Sequence, residues 1–189
     1  DQLNQLLDHY QAGKLGDAET LARSLTQKFP KHPFAWKTLG LVFKQTGRLN
    51  ESLFSMQKSV ELSPQDAESH SNLGVTLKEL GRLDNAAASY RKAIALKPDY
   101  TEAHYKLGIT LKELGRLDAA EASYREAIAL KSDYAEAHYN LGNTLKELGK
   151  LDDAEASYRE AIALKPDYAE AHRSLTILKK FSSEDEQFL

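Results

Sequence analysis

Apolar residues return at helical spacing through most of the chain, with small residues set among them. His138, Leu141, Gly142 and Leu145 fall at i, i+3, i+4 and i+7, and Leu151, Ala154, Tyr158, Ala161 and Ile162 keep to one face in the same way. The first set predicts a helix over 135–148 and the second a helix over 151–164. Gly149 stands between them, suited to the left-handed position that follows a helix end. Pro166 stops the second helix. Asp99, Asp133 and Asp167 are each followed three residues later by glutamate (Glu102, Glu136, Glu170), which predicts an acidic N-cap of the capping-box kind for each following helix. Gly142 and Ala154 lack bulk, so the two helices can approach closely as an antiparallel hairpin.

The same pattern is written several times. "HSNLGVTLKELGRLDNAAASY" at His70–Tyr90, "HYKLGITLKELGRLDAAEASY" at His104–Tyr124 and "HYNLGNTLKELGKLDDAEASY" at His138–Tyr158 are offset by 34 residues. A hairpin cannot bury its own apolar stripe, and a fixed period of this size points to hairpins stacked in a solenoid. The register gives full units at 33–66, 67–100, 101–134 and 135–168. A more degenerate unit occupies 1–32, with Gly13, Ala18, Ala22 and Pro30 in register. Residues 169–181 begin another first helix, expected to cap the stack, and 182–189 form a tail. All are expected to form one solenoid domain. Opening on Asp1 and stopping at "EDEQFL", the chain reads as a piece of a longer protein.

The first full unit has Trp36, Leu39, Gly40 and Phe43, then Ser52, Met56 and Pro64. Later units place His70, His104 and His138 at the Trp position, Leu77, Leu111 and Leu145 at the first aromatic position, and the pairs Ala86/Tyr90, Ala120/Tyr124 and Ala154/Tyr158 in the second helix. These units resemble tetratricopeptide repeats, whose signature is W-x2-L-G-x2-Y, A-x3-F and P. The resemblance covers about residues 1–181. It implies an all-α, right-handed superhelical solenoid with the first helices lining a concave groove.

Composition narrows the chemistry. The net charge of -3 does not suit a general nucleic-acid binder. The absence of cysteine excludes disulfides, thiolate zinc and a thiol nucleophile. No run of about 18 apolar residues offers a membrane span, and the first thirty residues hold no continuous apolar run of a secretory kind. A cytoplasmic location is expected.

His70, His104, His138 and His172 look like a metal cluster, but each repeats once per unit. Packed helices lie about 8–10 Å apart, whereas zinc–nitrogen bonds are about 2 Å. The histidines are therefore expected to fill the aromatic slot between helices. Gly149–Lys150 lacks the spacing and the following hydroxyl of a phosphate loop, and Ser157 and His138 lie on different helices, with no oriented base. No enzyme activity and no cofactor are expected.

The resemblance places the second, fifth, sixth, ninth, twelfth and thirteenth residues of each unit on the groove. Candidate peptide-binding residues are therefore Asn72, Val75, Lys78, Tyr105, Ile109, Lys112, Tyr139, Asn140, Asn143 and Lys146. Tyrosine and apolar side chains would anchor a partner, the amides of Asn72 and Asn140 would pair with a peptide backbone, and the lysines would attract acidic side chains. The expected function is a protein-interaction module that holds a peptide or a partner helix. "SNLGVTLKELG" and "YNLGNTLKELG" are also similar to repeats of the O-linked N-acetylglucosamine transferase family, and the C-terminal segment looks like those joining bacterial repeat arrays to sulfotransferase or glycosyltransferase domains. That implies a second reading, the substrate-presenting arm of a larger bacterial transferase. Weak self-association through open ends, as a scaffold, is a third. Glutamate at the second positions after Phe34 is inconsistent with the clamp of the chaperone-binding branch.

Overall fold

The structure, a computed structural model, describes the backbone of residues 2–185 and the side chains of residues 2–180. Regular structure there is α-helical: α1 (Gln2–Gln11), α2 (Leu15–Lys28), α3 (Pro33–Gln45), α4 (Leu49–Leu62), α5 (Ala67–Glu79), α6 (Leu83–Leu96), α7 (Thr101–Glu113), α8 (Leu117–Leu130), α9 (Ala135–Glu147), α10 (Leu151–Leu164) and α11 (Ala169–Asp185). The chain divides into two compact units, Asp1–Pro98 and Asp99–Leu189. Within the first, each of α1 to α6 packs on its neighbour in sequence, and α3 also touches α1 and α5. Within the second, α7 to α11 do the same, and α7 touches α9. None of these helices is long and apolar enough to cross a membrane.

The hairpin turns come from glycine. Gly13, Gly47, Gly81, Gly115 and Gly149 hold φ between 69° and 75°, a region that costs an L-residue about 1 kcal/mol. That conformation lets the turn satisfy carbonyls the helix end would leave bare. Gly149 N–H bonds the Lys146 carbonyl at 3.0 Å and Lys150 N–H bonds that of Leu145 at 2.9 Å, the Schellman arrangement.

Helix starts depart from the expected capping boxes. The residue before α7 is Tyr100 and that before α9 is Tyr134, and neither caps through its side chain. Asp99, Asp133 and Asp167 lie one residue too early in the turn, because the helices begin at Thr101, Ala135 and Ala169. A side-chain cap forms at α5, where Asp66 occupies the position itself and its Oδ1 accepts from Glu68 N–H at 3.1 Å.

Within a hairpin, a glycine faces a large side chain. A Cβ on Gly74, Gly108 or Gly142 would lie 2.7 Å from the ring of Tyr90, Tyr124 or Tyr158, and one on Gly40 would lie 2.9 Å from Met56. Those rings are among the largest fully buried side chains. Thr76, Thr110 and Thr144, also fully buried, return their hydroxyls to carbonyls four residues back, as Thr110 does to Lys106 at 2.8 Å. The buried stripe of α10 is Ala154, Ser157, Tyr158 and Ala161. Leu151 is exposed at the hairpin turn and Ile162 is half-buried, so the stripe is narrower than the apolar pattern implied.

Helix α11 runs beyond the expected boundary at residue 181, to Asp185. Ala171 and Leu178 are buried and Leu175 is half-buried on its packed side, which meets α10. The Phe181 side chain and residues 186–189 of the expected tail lie outside the described residues.

Replacing Gly108 or Gly142 by leucine drives a side chain into a buried ring. Each change is expected to lower unfolding free energy by about 3 kcal/mol, measured by urea denaturation. Wild-type midpoints for both would refute the close approach.

Candidate binding faces and the slots between repeats

In the first unit, α5 carries Asn72, Val75 and Lys78 on successive turns, all half-buried. In the second unit, α7 carries Tyr105, Ile109 and Lys112, and α9 carries Tyr139, Asn140, Asn143 and Lys146. Contact between α7 and α9 brings the second set together. One candidate lysine is already paired: Lys112 Nζ lies 2.9 Å from Glu147. On α3, Lys37 stands at the fifth position, the place of Tyr105, and pairs with Asp66 at 3.2 Å and Glu68 at 2.8 Å. The asparagines are committed as well: Asn140 Nδ2 donates to the Tyr105 hydroxyl at 2.9 Å, and Asn143 Oδ1 accepts from the Tyr158 hydroxyl at 2.8 Å.

Beside these faces lies a slot that recurs within both units. In three repeats the fifth residue meets the residue just before the next first helix. In the second unit both are tyrosines: Tyr105 and Tyr134 have ring centroids 4.7 Å apart, and Tyr139 and Tyr168 are 5.0 Å apart. Lys131 and Lys165 lie over Tyr134 and Tyr168 at 5.1 and 4.8 Å, a cation–π arrangement. In the first unit the same slot is polar. Lys37 pairs with Asp66, Ser69 Oγ donates to Asp66 Oδ2 at 2.7 Å, and Ser59 and Ser69 share a bond at 2.9 Å.

The histidine row has a chemical explanation. Trp36 Nε1–H donates to the Pro30 carbonyl at 2.8 Å. His138 Nε2 lies 3.0 Å from the Ser132 carbonyl, His70 Nε2 3.0 Å from that of Pro64, and His172 Nε2 2.8 Å from that of Pro166. A carbonyl only accepts, so Nε2 carries the hydrogen. Imidazole thus repeats the indole's bond to the residue six positions back. With Nε2 so used, these side chains are spacers, and the described residues hold no group of three or more His, Cys, Asp or Glu arranged to hold a metal.

Among the described residues, three buried side-chain atoms lack a hydrogen-bond partner: His32 Nδ1, Asn72 Nδ2 and the Tyr124 hydroxyl. Each sits where one member of a recurring pair has changed. Asn72 corresponds to Asn140, but Lys37 replaces Tyr105 and offers no acceptor. Tyr124 corresponds to Tyr158, but Ile109 replaces Asn143. His32 corresponds to Tyr134, but Leu3 stands where the partner ring would be.

Burial is the main cause of the raised tyrosine pKa values, and the acids of the first turns add to it. Tyr105 and Tyr134 are pushed up by desolvation, with Glu136 contributing to both. Tyr158 and Tyr168 are pushed up to about 12. Tyr134 and Tyr168 were not among the residues expected to act on these faces, although their recurrence at 34-residue spacing was visible. A buried clamp was missed too: Glu121, 5% exposed, binds Arg125 at 2.9 Å and Lys150 at 2.8 Å.

Exchanging the ninth residues tests the pairing. Asn143→Ile removes the acceptor of Tyr158 and is expected to cost about 1–2 kcal/mol, whereas Ile109→Asn supplies one to Tyr124 and is expected to add about 1 kcal/mol. Chemical denaturation measures both, and equal effects of the two changes would refute it. A pH series tests the tyrosines. Above the ordinary value of 10.0 the unfolded chain's tyrosines ionise while Tyr158 and Tyr168 stay protonated to about 12. The unfolded state then binds fewer protons, so stability falls as pH rises through this window. Tyr168→Phe should flatten the fall.

Models of the tetratricopeptide repeat match residues 3–67, 55–88, 76–115, 110–149 and 135–168. No curated protein matches the chain. Among solved structures, that of YrrB, described as "a TPR protein with an unusual peptide-binding site", is 21% identical and covers 92% of this chain and 89% of its own, with a TM-score of 0.81. The crystal structure of MamA is 24% identical and covers 86% of this chain and 95% of its own, with a TM-score of 0.80. These likenesses share the fold of an all-α solenoid of helix hairpins. With the repeat models spanning most of its length, the chain belongs to the tetratricopeptide repeat family.

Proposed function

We propose that this chain is a protein-interaction module whose first helices bind a peptide or a partner helix. The observation that carries the reading is the ninth position: Val75 on α5 in the first unit and Ile109 on α7 in the second are each a branched apolar residue left half-buried on a helix otherwise edged by lysine and glutamate. Such residues serve as anchors when a partner completes their burial. In the second unit Tyr105 and Tyr139 add aromatic surface on α7 and α9, beside Lys146 and the remaining amide capacity of Asn140; in the first unit Asn72 stands on α5 with Val75. The peptide-binding site stated for YrrB supports the reading by analogy of fold.

The lysines, where already paired, act on rate and selectivity more than on affinity. Without deep pockets, affinity is expected in the micromolar range, about -8 kcal/mol. Glutamates on the first turns disfavour nucleic acid. The transferase-arm reading rests on the asparagines of "SNLGVTLKELG" and "YNLGNTLKELG", and the bond from Asn140 to Tyr105 lends it less support.

Two variants test the proposal against the native partner, identified by pull-down and mass spectrometry. Val75→Asp with Ile109→Asp should abolish binding while circular dichroism stays native. Lys78→Glu, Lys112→Glu and Lys146→Glu together should slow association and weaken its salt dependence. Undiminished binding in both would move the site off these helices.

A further inference from the structure

The slot between repeats is filled by the chain itself in the second unit by tyrosine on tyrosine, and in the first unit by the Lys37–Asp66 pair with its serines. Among the described residues, its first copy, between the hairpin of α1 and α2 and the start of α3, is not filled by a side chain. Leu3 stands at the place of Tyr105 and His32 at that of Tyr134, and Phe29 replaces Lys131. A cavity of about 260 Å³ remains, lined by Gln2, Leu3, Leu25, Phe29, His32 and Ala35. Its wall is mostly apolar. Phe29 is 49% exposed, and the buried Nδ1 of His32 has no partner.

These facts limit what can occupy the space. Water needs two to four polar partners, and an apolar cavity of about 150 Å³ already suffices for a benzene ring. The two copies in the second unit show what the repeat geometry accepts where the wall is not polar, a phenol ring packed on its neighbour. We infer that this cavity is a receptor for a tyrosine side chain of a partner segment, with the ring between Leu3 and Phe29 and the hydroxyl bonded to His32 Nδ1. The neutral imidazole accepts that bond, and an orphaned polar atom becomes satisfied. The site is independent of the faces on α5 and on α7 and α9, so its failure would leave the proposed peptide-binding function untouched.

The test uses p-cresol, toluene and N-acetyl-tyrosinamide with the whole chain, followed by carbon–proton NMR of the Phe29 and His32 rings. Saturable shifts at both rings are expected with p-cresol, with about fivefold weaker binding of toluene, the equivalent of one lost neutral hydrogen bond. His32→Phe should erase that ratio while keeping toluene binding. Leu3→Tyr should fill the slot from within, raise the melting temperature and abolish binding of all three probes. N-acetyl-tyrosinamide should bind at the same rings, since the cavity opens beside Phe29. Absence of saturable shifts with p-cresol would overturn the inference, as would equal affinity for toluene. Binding of p-cresol without N-acetyl-tyrosinamide would overturn the assignment to a protein side chain in favour of a free phenol.

Discussion

The close approach of glycine to a buried ring is the constraint on which the rest depends. At Gly74, Gly108 and Gly142 the space of a single methyl is already taken by a tyrosine ring. That contact fixes how near the two helices of a hairpin stand. The buried threonines turn their hydroxyls back onto their own helix, so these polar atoms are satisfied inside the packing. Interiors packed at this density transmit changes of one carbon atom. The ninth position, next in sequence to the eighth-position glycine, varies between Val75, Ile109 and Asn143, and Asn143 reaches the hydroxyl of the seam's own ring, Tyr158.

Pairs of positions, rather than single residues, explain where the chain is strained and where it is satisfied. Tyr105 needs Asn140 and Tyr158 needs Asn143. When one member changes alone, its partner is left as a buried unsatisfied group, at a cost of about 1–3 kcal/mol. Near-identical repeats are therefore not interchangeable: residues 101–134 and 135–168 differ at few positions, yet the Tyr158 hydroxyl donates to Asn143 whereas the Tyr124 hydroxyl, with Ile109 at that place, has no partner.

Much of the fold was legible because the 34-residue period amplifies each local signal. The hairpin glycine, the helix lengths of the last unit and the close approach at Gly142 were readable from the residues themselves, although the pattern sets Gly142 with Ala154 and not with the Tyr158 ring that it meets. Two things were not. The Asp-x-x-Glu pattern looked like a capping box, but a one-residue shift of the helix start placed Tyr100 and Tyr134 at the N-cap instead. The candidate binding residues were identified from position alone, which cannot show that Lys112 is spent on Glu147 or that Asn140 is spent on Tyr105. Such partners lie about one repeat away along the chain, beyond the reach of local pattern reading.

The bond from each imidazole to a carbonyl six residues back has a consequence for substitution. His70, His138 and His172 donate through Nε2, as Trp36 does through its indole nitrogen. A phenylalanine at any of these places would fill the space without a donor and leave the carbonyl of the turn bare. What recurs along the chain is a flat ring bearing one N–H, and two different amino acids supply it.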